Sequence, residues 1–251
     1  MKKGFTTGSC ATAAAKAATV MLFEGAPVDK ISVATPAGVN FTTPVADVMS
    51  TNTTAVSLPE RFAECAVIKP SSDDPDVTAG MKIFARAQFI GGTSRVVIEG
   101  GDGIGTVTKP GLDRPVGDAA INSVPRRMIE DEVSAVADEY GYSGCIKITI
   151  SAPEGKDIAA STFNPRLGIE GGISIIGTSG IVEPMSTKAI VDTIRVELNQ
   201  KRQMGFESIV VSPGNYGFDF MKRHYGYDLD KAVKCSNFIG DTIDIAKELG
   251  F

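Results

Sequence analysis

The sequence predicts an α+β N-terminal domain, residues 1–142, followed by an α/β, Rossmann-like C-terminal domain, residues 143–251, with a mostly parallel sheet. Three observations predict this. Behind one alanine-rich helix, strand patterns dominate from Lys30 to Thr108. From Cys145 onward, strand and helix patterns alternate as βαβαβα, which favours a parallel sheet. Three of those later strand patterns end in Gly, Ser or Asn loops, at Gly177 to Gly180, Pro213 to Gly217 and Ser236 to Gly240. In such a sheet the loops would share one edge, where α/β proteins bind cofactors.

The totals agree with a globular protein. A chain of 251 residues fits one large or two modest domains, and 43% hydrophobic with 22% charged residues is not a disordered composition. A net charge of −5 argues against a nucleic-acid binder, yet leaves room for a local basic cluster facing a small anion. Cys10, Cys65, Cys145 and Cys235 are far apart and form no CxxC, which fits reduced, buried thiols rather than disulfides or zinc. His224 is the only histidine, so no protein-bound metal is expected. Lys2-Lys3 before a small-residue run imitates a secretory signal, but Lys16 and the threonines interrupt it. No run approaches the ~18 apolar residues of a membrane span. The expectation is a cytoplasmic protein with no membrane or nucleic-acid partner; a homo-oligomer is compatible with it.

Gly4-Phe5-Thr6-Thr7-Gly8-Ser9-Cys10 is a polar glycine turn opening into a helix over about Cys10 to Phe23, with Ser9 the natural N-cap. Its alanines make it thin on nearly every side, suiting either close packing on a sheet or a large flat ligand. Ile31, Val33, Val39, Phe41 and Val45 bracket a Pro36-Ala37-Gly38 turn. Glu64 to Lys69 and Met81 to Ile90 are further strands, the second alternating through Ile83, Ala85, Ala87 and Phe89. Between them Asp73, Asp74 and Asp76 crowd one loop, either a cation or proton-transfer site or a solvated turn.

Arg95 to Glu99 reads as a strand leading to Gly100-Gly101-Asp102-Gly103-Ile104-Gly105. Thr106-Val107-Thr108 then continues as strand rather than helix, so a Rossmann fingerprint is rejected in favour of a glycine turn lining a cleft. Lys109, Arg114, Arg126 and Arg127 form a basic run. The last two fall in the first turn of a helix over Ser123 to Tyr140, where cations oppose the dipole by about 0.3–1 kcal/mol each. Either they hold an anion or they pair with nearby acids. Ile173 to Ile176 is long enough for a buried strand, with Gly177-Thr178-Ser179-Gly180 a tight loop after it and Ser186 or Thr187 an N-cap. A helix over Thr187 to Gln203 turns Ile190, Val191, Ile194 and Leu198 inward. Strands over Ser208 to Ser212 and Val233 to Cys235, a helix to about Tyr225, and a last helix facing inward with Ile239, Ile243 and Ala246 complete the series.

Seven of these stretches, in this order, resemble the cobalt-precorrin-5B (C-1)-methyltransferase family of anaerobic cobalamin biosynthesis, over nearly the whole chain. They are Gly4 to Ala11, Asp73 to Thr78, Gly103 to Leu112, Ala120 to Arg126, Asn164 to Ser186, Pro213 to Gly217 and Ser236 to Gly240. The resemblance implies methyl transfer from S-adenosylmethionine to a ring carbon of a corrinoid whose cobalt belongs to the substrate. It implies cofactor contacts from Gly177, Thr178, Ser179, Gly180, Gly214, Asn215, Asn237 and Gly240. The substrate side would be Thr6, Thr7, Ser9, Lys109, Arg114, Arg126, Arg127, Asn164 and Arg166, the cations gripping acetate and propionate groups. Asp73, Asp74, Asp76 and Glu183 are the candidates for handling a proton.

The family pattern continues past the position of Phe251, so a short variant or a truncated piece lacking one edge of the sheet is expected. Two other classes compete. One is a non-catalytic tetrapyrrole-binding protein. The other is a hydrolase with Ser179 as nucleophile and His224 as base, although Gly-Thr-Ser-Gly is not the usual G-x-S-x-G elbow.

Overall fold

A computed structural model describes residues 2–51, 60–73, 76–183, 186–227 and 231–251. They fall into two compact units, Met1–Val107 with Gly117–Pro184, and Thr108–Val116 with Met185–Phe251. The expected division at residue 142 is therefore displaced to the end of the 117–184 stretch. The short segment Thr108–Val116 belongs with the C-terminal unit.

Among the described residues the first unit runs β1 (Gly4–Phe5), α1 (Thr7–Glu24), β2 (Lys30–Ala34), β3 (Asn40–Pro44), β4 (Ala46–Ser50), β5 (Phe62–Ile68), β6 (Lys82–Ile90), β7 (Val96–Gly100) and β8 (Thr106–Val107). It continues with α2 (Ser123–Glu139), β9 (Cys145–Ser151), α3 (Gly155–Ala159), α4 (Asn164–Leu167), β10 (Ile169–Glu170) and β11 (Ile181–Val182). The main sheet has the order β4-β5-β6-β9-β7. Its pairs are antiparallel except β7 with β9. β9 thus completes this sheet instead of opening a C-terminal domain, because its alternating Ile146, Ile148 and Ile150 bury beside β6.

The sheet and α1 interlock through small side chains. In β6 the alternation expected from sequence holds, with Ile83, Ala85 and Ala87 fully buried and Phe89 nearly so. α1 presents Cys10, Ala11, Ala14, Ala15, Ala17 and Ala18 to the same core, all fully buried. Short side chains on both surfaces let the backbones approach, and the Cys65 thiol of β5 donates to the Ala14 carbonyl at 3.4 Å. Larger residues close the helix end: Met21 and Leu22 are buried, each worth about 1.5–3 kcal/mol. Gly25, in the left-handed region at φ 70°, stops the helix. α2 packs beside α1 through Ile129 and Val133, while Tyr140, at the end of the helix, is 43% exposed.

The second unit holds α5 (Thr187–Gln203), β12 (Val210–Ser212), α6 (Asn215–Tyr225), β13 (Ala232–Lys234) and α7 (Ile239–Glu248). β12 and β13 are parallel, with Val211 opposite Val233. Ser186 caps α5, its hydroxyl accepting from the Ala189 N–H at 3.3 Å. The core is Ile194, Leu198, Val233, Cys235 and Ile245. Ile190, Ile239 and Ile243, expected to face inward, are instead 44%, 45% and 44% exposed. The chain is a mixed α/β protein whose largest sheet is mostly antiparallel. No helix among the described residues is long and apolar enough to cross a membrane.

Candidate functional site

The polar glycine turn at the start of the chain and the glycine loop at 177–180 are partners in one knot. Thr6, not Ser9, caps α1: its Oγ1 accepts from the Ser9 N–H at 3.2 Å. Ser9 is then free to donate its hydroxyl to the Gly180 carbonyl at 2.6 Å, which also accepts from the Thr6 N–H. The Gly8 N–H donates to the Ile176 carbonyl at 2.9 Å, and Thr7 Oγ1 accepts from the Ile176 N–H at 2.9 Å. α1's N-terminus is therefore covered by the chain's own carbonyls. A Cβ on Gly177 would lie 2.2 Å from Thr6 Oγ1, and one on Gly180 would lie 2.7 Å from Thr35 Cβ. Thr6, Thr7, Ser9, Gly177 and Gly180 build this knot. Thr178 is exposed, and Ser179 Oγ donates to the Ile181 carbonyl at 3.1 Å. Ile173 to Ile176, expected as a strand of the C-terminal sheet, is an extended segment of the first unit joined to Ile104 and Ile121 by single bridges.

Asn164 is also internal to this unit. It is 6% exposed, donates from Nδ2 to the Gly172 carbonyl at 3.2 Å, and accepts from the Ser174 hydroxyl at 3.1 Å. The turn at Gly100–Gly105 packs closely against neighbouring backbone at Gly103. A Cβ on Gly103 would sit 1.7 Å from the Ala152 carbonyl oxygen, and the Gly103 carbonyl accepts from the Ile173 N–H at 2.9 Å. Glycine is needed at position 103 because backbones cross there.

Three of the four candidate carboxylates have partners within the chain. Asp73 Oδ2 accepts from the Lys2 N–H at 2.5 Å. Asp74 lies outside the described residues. Asp76 pairs with Lys69, whose side chain is 3% exposed, and its other oxygen accepts from the Thr78 N–H at 2.8 Å and hydroxyl at 2.5 Å. Burial disfavours charge on Asp76, but the Lys69 ammonium and the two Thr78 donors overcome it and hold the carboxyl below its ordinary value. Glu183 is exposed and pairs with Lys3 at 2.8 Å, which lowers its pKa too. A general acid or base at neutral pH needs the opposite shift. Cys10 is no nucleophile: burial chiefly pushes its thiol up to about 12, Lys69 pulling the other way and Asp76 adding to it.

The cations separate into two sets. Arg126 Nε donates to the Ile121 carbonyl at 2.9 Å and Nη1 to the Ile98 carbonyl at 3.1 Å, so it ties α2 to β7. Arg127 and Arg166 are exposed on the first unit. Lys109 and Arg114, half-buried, lie on the segment that belongs to the second unit.

Of the three loops expected at one sheet edge, two meet there. Because β12 and β13 are parallel, Pro213–Asn215 and Cys235–Ile239 leave their carboxyl ends side by side, and the Cys235 N–H donates to the Ser212 carbonyl at 2.9 Å. Gly214 caps α6 in extended backbone, and a Cβ there or on Gly240 would meet open space. Tyr216 is 86% exposed beside it. Asn215 Oδ1 accepts from Lys234 at 3.3 Å, and Asn237 is exposed. Gly177–Gly180 lies in the other unit and cannot be counted as a third loop of this edge. Ser179, the nucleophile of the hydrolase reading, donates to the Ile181 carbonyl, and His224, in the second unit, lies tilted against Phe220 with ring centroids 4.6 Å apart. Among the described residues no three His, Cys, Asp or Glu gather as a metal centre.

The CbiD family matches residues 1–184, most of the chain. The chain belongs to the CbiD family. The match ends at the residue where the first unit ends. A curated relative from Ruminiclostridium cellulolyticum, named cobalt-precorrin-5B C(1)-methyltransferase, is 50% identical over 98% of this chain and 62% of its own length. A relative of the same name from Thermoanaerobacter sp. is 43% identical over 100% of this chain and 65% of its own. The chain thus spans less than two thirds of these relatives. The crystal structure of a cobalamin biosynthesis protein (cbiD) from Archaeoglobus fulgidus matches with a TM-score of 0.55 and 27% identity, over 96% of this chain and 73% of that one.

Sequence reasoning missed Lys69 and the docking of Thr108–Val116. Lys69 left a usable signal, a lysine ending a strand just before an acidic loop. The docking left none, because it depends on contacts with residues far along the chain.

Proposed function

We propose that this CbiD-family chain transfers a methyl group from S-adenosylmethionine to ring carbon C-1 of cobalt-precorrin-5B, giving cobalt-precorrin-6A in cobalamin biosynthesis. The observation that carries the reading is 50% identity over 98% of the chain to a relative bearing that enzyme's name. The second unit is read as the Rossmann-like half, with Gly214, Asn215, Asn237 and Gly240 on the cofactor. The donor set fits: open backbone at a helix N-terminus and two side-chain amides at the carboxyl edge of parallel strands suit an adenosyl and amino-acid group. When bound, the cofactor supplies an electrophilic methyl on its sulfonium.

Methyl transfer of this kind is an in-line displacement, so the chain's contribution is alignment and exclusion of water. Such positioning is worth up to about 7–11 kcal/mol. Lys109 and Arg114 in the second unit, like Arg127 and Arg166 in the first, are cations suited to corrinoid carboxylates, with Arg able to grip them bidentately. Arg126, Asn164, Thr6, Thr7 and Ser9 support the scaffold instead. Proton handling is assigned to none of Asp73, Asp76 and Glu183, whose carboxylates are engaged.

The test is mass spectrometry of cobalt-precorrin-5B incubated with this chain and isotopically labelled S-adenosylmethionine. One labelled methyl on the corrinoid is expected. An unchanged corrinoid, together with calorimetry showing corrinoid binding but no S-adenosylmethionine binding, overturns the enzyme reading in favour of a tetrapyrrole-binding protein.

A further inference from the structure

We propose that Gly111 is a positioning residue, latching the strap Thr108–Val116 onto α5 and so setting Lys109 and Arg114 for a polycarboxylate ligand. The identity of that ligand rests on the methyltransferase reading. The latch rests on geometry alone.

The strap clusters with the second unit although residues on both sides of it belong to the first. Its contact with α5 is backbone on backbone. Gly111 sits at φ +92°, in the region that favours glycine. A Cβ there would lie 2.6 Å from Gln200 Cα, 3.1 Å from Gln200 N and 3.3 Å from the Asn199 carbonyl oxygen. These atoms are part of a helix in which Gln200 is 3% exposed, so they cannot swing aside as a side-chain tip would. The Gly111 carbonyl accepts from Asn199 Nδ2 at 2.8 Å, which fixes the strap's register along α5. Pro110, just before, restricts its own φ and narrows the strap's alternatives. Lys109 and Arg114 stand two residues before and three after the latch, and both are half-buried. A shift of the latch by even about 1 Å moves both cations together, a displacement sufficient to cost up to about 100-fold where alignment is the catalytic device.

The test is the full chain with Gly111→Ala, compared with wild type by hydrogen exchange and by binding titrations. Faster exchange confined to residues 108–116 and the facing part of α5, with β12 and β13 still protected, is expected. Corrinoid affinity should fall by about tenfold, with S-adenosylmethionine affinity unchanged, and KM for the corrinoid should rise far more than kcat falls. Asn199→Ala removes only the hydrogen bond and should give a smaller shift in the same direction, which keeps the proposal testable if Gly111→Ala folds poorly. Unaltered exchange in the strap of both variants overturns the latch. A loosened strap with unchanged corrinoid affinity overturns the positioning role. A wild-type chain that binds no corrinoid overturns the methyltransferase reading, while the exchange data still decide the latch.

Discussion

The loops Gly177–Gly180 and Pro213–Gly217 share a sequence style, small and polar residues between an apolar run and a helix start, and the structure uses them in opposite ways. In the first, protein atoms fill the volume beside each glycine, and the Gly180 carbonyl takes two donors from the start of α1. In the second, Gly217 is likewise closed off, a Cβ there lying 2.1 Å from Ser212 Oγ, but the space beside Gly214 is open and Tyr216 stands in solvent. A glycine loop therefore has two physical causes, another backbone passing close by or a surface left bare for a ligand. What occupies the missing Cβ position distinguishes them.

The widest separation should come from one substitution in each loop. Gly180→Ala places a Cβ at φ +79° against Thr35 and Ser9, adding left-handed strain to overpacking. A loss of about 2–4 kcal/mol in the first unit's stability is expected by urea denaturation. Gly214→Ala has extended backbone and open space, so stability should move by less than about 0.5 kcal/mol. Its S-adenosylmethionine affinity should nevertheless fall in calorimetry. Equal destabilisation by the two changes would erase the distinction.

A second contrast sets the buried ion pair against the exposed one. Asp76→Asn leaves the Lys69 ammonium buried without its counter-charge, at a cost of about 3 kcal/mol at neutral pH. The pH dependence follows from the lowered pKa of Asp76. Because its folded value lies below the unfolded one, its contribution is fully present above the unfolded value near 3.8 and is lost as pH falls through the folded value. The variant should therefore show a shallower loss of stability below about pH 4. Glu183→Gln, at a solvent-exposed pair with Lys3, should leave the melting temperature unchanged. If the Glu183 change proved the larger, burial would not be what makes the first pair matter. Smaller again is Ser9→Ala, which removes the 2.6 Å hydrogen bond to Gly180 and should cost about 1 kcal/mol, read by the same denaturation.

Much of this was legible because side-chain period is local information. β6 and α5 were expected at or within a residue of their observed bounds, since alternating or helical spacing of Ile, Ala, Val and Leu is written along a few neighbouring positions. Within the run 173–176, Ile173 and Ile175 are buried as expected while Ile176 is 48% exposed, and the apolar pattern fits either unit equally well. Its neighbours, Ile104 and Ile121, are far away in sequence. The glycines failed for the same reason: Gly103, Gly111 and Gly180 look alike in sequence, and only the atoms opposite them reveal the cause. Nothing along the sequence marks that Asn164 will meet the Gly172 carbonyl, or that Arg126, in the first turn of its helix, will meet those of Ile121 and Ile98.

Arg126 and Arg127 bring the comparison down to adjacent residues. Sequence pairs them as two cations opposing one helix dipole, whereas the structure divides them by direction. Arg126 donates to the carbonyls of Ile121 and Ile98, and removing it leaves those acceptors short of a partner. Arg126→Ala should therefore lower stability by about 1 kcal/mol, with any loss of corrinoid affinity accompanied by that loss. Arg127 is exposed on the next position of the same turn, so Arg127→Ala should leave stability within about 0.5 kcal/mol while weakening corrinoid binding. The weakening should fade as salt rises, because an exposed cation holds a carboxylate through a screened interaction. Matching losses of stability in the two variants would mean that the turn acts as a unit, and that direction along a helix does not separate scaffold from ligand contact here.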